Sequence, residues 1–132
     1  MGTYDIVVTN SSTSRGTGSI AISIGGAETT GSLGSVNSKY QAIATQNSLA
    51  LVTTTDDSLV ISALALNGTG RTITASGTNQ TKQDEVTGEC QHALSTQTTT
   101  SAGSYTNIWD FSSSQVSKQC VVEVLLGYTG GS

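Results

Sequence analysis

The sequence predicts an all-β fold: an antiparallel two-sheet β-sandwich forming a single domain over residues 1–126, with a flexible C-terminal tail at 127–132. Three observations carry this expectation. Helix periodicity is nearly absent, whereas β-branched alternation punctuated by Gly and polar clusters recurs about every ten residues. The composition is polar but weakly charged: 20 Ser, 22 Thr and 15 Gly in 132 residues, 11% charged, 35% hydrophobic and no Pro, enough apolar material for a thin core built from sheets. Finally, about ten short strands in one small domain need two stacked sheets or a closed barrel, because a single flat sheet would leave a face uncovered.

Taken in order, Tyr4 to Thr9 reads as a first strand and the Ser- and Gly-rich stretch from Asn10 to Gly18 as a turn. Ser19 to Ile24 follows as a half-buried strand, with Ile20, Ile22 and Ile24 on one face, since successive side chains of a strand point to opposite sides. Gly25 to Ser38, with few apolar residues, reads as a long loop. Strands are expected at Tyr40–Thr45, Leu49–Thr54 and Ser58–Leu66, with Asp56-Asp57 as the turn before the last. Asn67-Gly68 is the strongest hairpin signal, as both residues accept the positive φ of a type I′ turn. Arg71–Ser76, Thr81–Val86, Cys90–Gln97, Tyr105–Phe111 and Lys118–Leu126 complete the set. The expected core is Ile20, Ile22, Ile24, Leu59, Ile61, Trp109, Phe111, Val122 and Val124.

Charge removes whole classes of function. Five Lys and Arg stand against nine Asp and Glu, a net charge of -4, and Arg15, Lys39, Arg71, Lys82 and Lys118 are scattered. Nucleic acid and anionic membranes are recognised by clustered cations, so neither is an expected partner. No apolar run reaches the ~18 residues of a membrane span. Met1-Gly2-Thr3-Tyr4-Asp5 lacks a basic n-region and a long apolar stretch, so a secretory signal is not expected.

One ordered set of segments is more specific. Thr53-Thr54-Thr55-Asp56-Asp57-Ser58-Leu59-Val60-Ile61 leads to Ala75-Ser76-Gly77-Thr78-Asn79-Gln80-Thr81. Ala102-Gly103-Ser104-Tyr105-Thr106-Asn107-Ile108-Trp109-Asp110-Phe111-Ser112 comes next, and Gln119-Cys120-Val121-Val122-Glu123-Val124 ends the series. This order resembles the jelly-roll, concanavalin-like β-sandwich modules of phage structural proteins and microbial surface proteins, over roughly residues 50–126. The resemblance implies a jelly-roll-like fold, a buried Trp109 and a buried position for Cys120. Such modules carry further strands before the one matching Ile6–Thr9. Measured against the resemblance, either the sandwich is smaller than usual or something else covers an open sheet edge; the second points toward assembly, with Tyr4, Ile6, Val7 and Val8 as the candidate assembly strand.

The residues that could support chemistry are few. Cys90 and Cys120 lack metal-ligand spacing; they are a candidate disulfide or two separate buried thiols. His92 alternates with Cys90 on one strand face, but a Cys–His nucleophile also needs hydrogen-bond reach and an oxyanion hole. Asp84-Glu85 are adjacent and so on opposite faces; Glu89, Asp110 and Glu123 stand alone. No strand therefore carries the paired acids of a glycosidase. Asp56-Asp57 and Asp84-Glu85 are the only calcium candidates, and acids in turns commonly face water. Tyr105, Trp109 and Phe111 share a strand face, either as core or as a glycan platform; Tyr4, Tyr40 and Tyr128 are candidate surface aromatics. Asn10, Asn67 and Asn79 fit the glycosylation pattern, which a Ser/Thr-rich chain generates by chance.

The expectation is thus a non-enzymatic structural protein without catalytic, cofactor-binding or metal-binding residues. A capsid decoration (cement) or head-fibre protein on the virion surface fits first, as a homo-oligomer, a trimer before a dimer, with a shell or major capsid protein as partner. The alternatives are an extracellular carbohydrate-binding module and a filament subunit built by strand complementation.

Overall fold

The computed structural model describes residues 7, 20–27 and 31–127. Among them are six strands and no helix: β1 Leu33–Val52, β2 Leu59–Leu66, β3 Ile73–Ala75, β4 Gln80–Thr87, β5 Gln91–Thr98 and β6 Ser104–Val124. All pair antiparallel in one hydrogen-bonded sheet of order β1-β6-β2-β5-β4, with β3 joined to β6.

Two strands are far longer than the sequence punctuation suggests. β1 runs 20 residues and β6 runs 21. Tyr40–Thr45 and Leu49–Thr54 are therefore parts of one element, as are Tyr105–Phe111 and Lys118–Leu126, and Leu33 to Ser38 is strand rather than loop. Neither Pro nor Gly interrupts Ala42–Gln46 or Ser112–Val116, so the chain bends without leaving the ladder. The bend is marked by register shifts between Gln41, Ala44 and Gln46. Extra residues of this kind turn a strand while pairing continues on either side.

The bend carries the sheet over its own inner face. Residues 33–41 of β1 pair with 117–124 of β6, which also binds β2; residues 46–52 of β1 pair with 104–110 of β6, which also binds β3. The halves of β6 then face each other: Gln119 Nε2 donates to the Asn107 carbonyl at 3.4 Å, and Asn47 Nδ2 donates to Ser117 Oγ at 2.9 Å. Two apolar clusters fill the interior, one of Leu64, Leu66, Ile73, Ala93, Trp109 and Phe111, the other of Leu51, Val60 and Val121. Polar side chains lie with them. Ser62 Oγ accepts from both Trp109 Nε1 and Gln119 Nε2, each at 2.8 Å, so these buried donors are matched rather than merely tolerated.

The Asn67-Gly68 hairpin does not form. Gly68 has φ 100°, but Asn67 is not among the positive-φ residues, and β2 pairs with β5 and β6 instead of β3. Long-range pairing overrides the local turn preference, because β2 is an interior strand with both edges occupied.

Candidate assembly surface

β1 forms one end of the strand order, so its outer edge has no neighbour among the described strands. Over Leu33–Val52 it holds a single charge, Lys39, and no Pro. Leu33, Val36, Tyr40, Ile43 and Val52 are each between 64% and 72% exposed. A long edge strand with bare apolar side chains is a template for further pairing unless something blunts or covers it.

Part of this edge is blunted from inside the molecule. Thr53 N–H reaches the Gly103 carbonyl on the β6 side at 2.8 Å, and by the alternation of an antiparallel ladder the carbonyls of Ser48 and Ala50 point the other way. Asn37 Nδ2 donates to Ala50 C=O at 2.9 Å and Lys39 Nζ to Ser48 C=O at 3.0 Å. Asn37 Oδ1 in turn accepts the Ser38 N–H at 2.9 Å. The first half of β1 thus occupies the acceptors that its second half would offer a stranger.

The ends of β1 are clasped by Glu123. Its carboxylate accepts from Ser35 N–H (3.0 Å), Thr54 N–H (2.8 Å), Thr54 Oγ1 (3.0 Å), Thr55 N–H (3.2 Å) and Ser58 Oγ (2.8 Å). Glu123 is fully buried. Burial pushes its pKa up, but the donors from Ser35, Ser58 and Thr54 outweigh that and hold it at about 2. A charged carboxylate at the sheet's end therefore ties the start of β1 to the turn that follows it.

The outer face of the sheet continues the apolar edge. By register, Val36, Val122 and Ile61 form one row, Ser38, Cys120 and Ala63 the next, and Tyr40, Lys118 and Ala65 a third. The small middle row sinks below its flanks and leaves a groove of about 490 Å³. A second depression of about 260 Å³ adjoins it, between Tyr40, Lys118, Ala65 and His92. At the other end the same face is covered by the chain itself: Ile20, Ile24 and Ala27 pack on Ile61, Leu94 and Val124.

The expected core residues divide accordingly. Trp109 and Phe111 are buried in the interior. Ile61 and Val124 are buried, and Leu59 and Val122 partly so, but on the outer face, in the cluster that Ile20 and Ile24 cover. Residues 20–24 form no strand, and Ile22 is 41% exposed, a departure from the expected alternation: the segment lies on the sheet instead of pairing within it. Of the candidate assembly strand, Tyr4, Ile6 and Val8 lie outside the described residues, and Val7 is 82% exposed. Tyr128 and the rest of the tail beyond Gly127 also lie outside them.

No disulfide joins Cys90 and Cys120. Cys120 sits opposite Ala63 of β2, whereas Cys90 precedes β5 beyond the far end of β2, so an intervening strand separates them. Cys120 is exposed, not buried as the resemblance implies, because it faces the groove. The acidic pairs have internal partners: Asp56 Oδ1, in the turn before β2, accepts from Ala102 N–H at 2.7 Å, and Glu85 Oε2, within β4, meets Lys82 Nζ at 2.6 Å. Among the described residues no three of His, Cys, Asp and Glu gather as metal ligands. Sequence reasoning passed over Glu123, Asn37 and Lys39, whose roles depend on strand register; the one local signal was an acid inside the apolar run Val121-Val122-Glu123-Val124.

No protein-family model matches the chain, and comparison with curated proteins and with solved structures finds no match.

Proposed function

We propose that this chain is a jelly-roll β-sandwich subunit with a structural, non-enzymatic role, acting on a virion surface as a capsid decoration (cement) or head-fibre protein. The strand order supports the fold reading. Residues 33–41 of β1, 117–124 of β6, β2 and β5 succeed one another in one layer, and 46–52 of β1, 104–110 of β6 and β3 in the layer facing it. Neighbours in each layer come from distant parts of the chain, the interleaving that two Greek keys produce. The resemblance of residues 50–126 to modules of phage structural proteins supports the virion setting.

The observation that carries the assembly reading is the bare apolar edge of β1, with Leu33, Val36, Tyr40, Ile43 and Val52 all on the surface. Such an edge is covered in a working particle, by further copies of the chain and by the shell protein it clamps. A carbohydrate-binding role has less support, since Trp109 is sealed in the core and Tyr40 is the conspicuously bare aromatic among those described. Light scattering on the full chain tests the reading: a trimer has about three times the 13.4 kDa chain mass, about 40 kDa. Sedimentation with purified particles, followed with an antibody to the chain, tests the setting. A monomer at every concentration, absent from particles, would overturn it.

A further inference from the structure

We infer that the groove between Val36, Cys120 and Ala63 is the receptor for the N-terminal segment Tyr4–Thr9 of a second copy of this chain. The inference rests on the assembly reading above and names the surfaces that meet. The groove is apolar, floored by small side chains, and continuous with the patch that Ile20, Ile24 and Ala27 of the same chain already cover. Among the described residues, the N-terminal part of this chain thus packs on one end of this face. Further apolar residues lie upstream in the sequence, in Ile6-Val7-Val8. Val7, at the centre of the run Ile6-Val7-Val8, is 82% exposed in the isolated chain, so that run is not buried at its centre.

The dimensions fit. Six extended residues span about 20 Å at roughly 3.3 Å each. From Val36 to Tyr40 the groove follows four residue steps, about 13 Å, and the adjoining depression prolongs it past Lys118. In extended form Tyr4, Ile6 and Val8 share a face, the apolar face such a groove accepts. Residues 10–19, which join the segment to Ile20, reach about 35 Å when extended, enough to cross to an adjacent subunit.

Cross-linking reads the contact directly. In a Cys90→Ser background, Ile6→Cys should form a disulfide with Cys120 of another copy under mild oxidation, giving covalent multimers on a non-reducing gel that disappear with Cys120→Ser. Linkage within one chain only, or none, overturns the inference. Ala63→Trp fills the groove at an exposed position and should leave the circular dichroism unchanged while lowering the solution mass as far as removal of residues 1–9 does. A synthetic peptide of residues 1–12 should bind the truncated chain, and Ala63→Trp should weaken that binding by about tenfold or more. Assembly that needs residues 1–9 but survives Ala63→Trp, without a Cys120 cross-link, overturns the groove and leaves the oligomer standing. A full-length chain that is monomeric throughout overturns both.

Discussion

The Glu123 carboxylate occupies the space that any side chain on residue 34 would need: a Cβ built on Gly34 would lie 2.2 Å from Glu123 Oε2 and 2.7 Å from Cδ. Gly34 sits at the register shift between Leu33 and Val36, where the bulged backbone offers Ser35 N–H to that oxygen. The carboxylate cannot swing aside without giving up the donors of Thr54, Thr55 and Ser58. Gly34→Ala should therefore cost about 1–3 kcal/mol, the range for overpacking a filled site. Urea unfolding checks this, and an unchanged midpoint would show that the clasp yields.

The same clasp gives a pH dependence of defined sign. Glu123 has its pKa lowered from 4.5 to about 2, so the folded state holds its proton less tightly than the unfolded state. The contribution is complete above about pH 4.5 and is lost as pH falls towards 2. Its size is on the order of 3 kcal/mol, from about 1.4 kcal/mol per pKa unit. Glu123→Gln should lower stability at pH 7 and flatten the stability profile between pH 4.5 and 2. A variant that keeps the wild-type acid slope would assign that slope to other carboxylates.

How much of this was legible in the sequence depends on the range of the interactions. β2, β3, β4 and β5 fall within a few residues of their expected positions because alternation and the flanking turns are local signals. The continuity of β1 and β6 was not legible, since a polar stretch such as Ser112-Ser113-Ser114 reads as a break unless its pairing is known. Trp109 and Phe111 share a strand face by their two-residue spacing, and both are buried. Tyr105, on the same face by alternation, is only half-buried, because it lies near the end of β6. The groove was out of reach, because Ser38, Ala63 and Cys120 become one row only through the registers of three strands.

Trp109 and Ser62 form a pair whose members can be tested apart. The indole is fully buried and its Nε1–H donates to Ser62 Oγ at 2.8 Å. Trp109→Ala should cost about 3–5 kcal/mol through lost transfer energy and the cavity left behind. Ser62→Ala removes the acceptor of Trp109 Nε1 and the nearer of the two acceptors of Gln119 Nε2, which keeps the Asn107 carbonyl, and should cost about 1–3 kcal/mol for the indole donor left bare. Native Trp fluorescence should resist acrylamide; free quenching would contradict the burial and restore Trp109 as a surface platform.

The edge of β1 supplies a prediction in which stability and association part company. Asn37 and Lys39 cap the carbonyls of Ala50 and Ser48, and Asn37 is exposed while Lys39 is half-buried. Neither side chain fills the core, so Asn37→Ala and Lys39→Ala should change the unfolding free energy by only about 0.5–1.5 kcal/mol each, the net worth of one hydrogen bond. Their larger effect falls on the edge. With both caps removed, two outward carbonyls in an apolar strand become acceptors for another chain's N–H groups, and the one charge on β1 is gone. The double variant should form higher-mass species or β-rich aggregate at concentrations where the wild type keeps a fixed mass. Light scattering and thioflavin fluorescence followed over time would measure it. A double variant that stays at wild-type mass would show that the caps serve only to hold the two halves of β1 together.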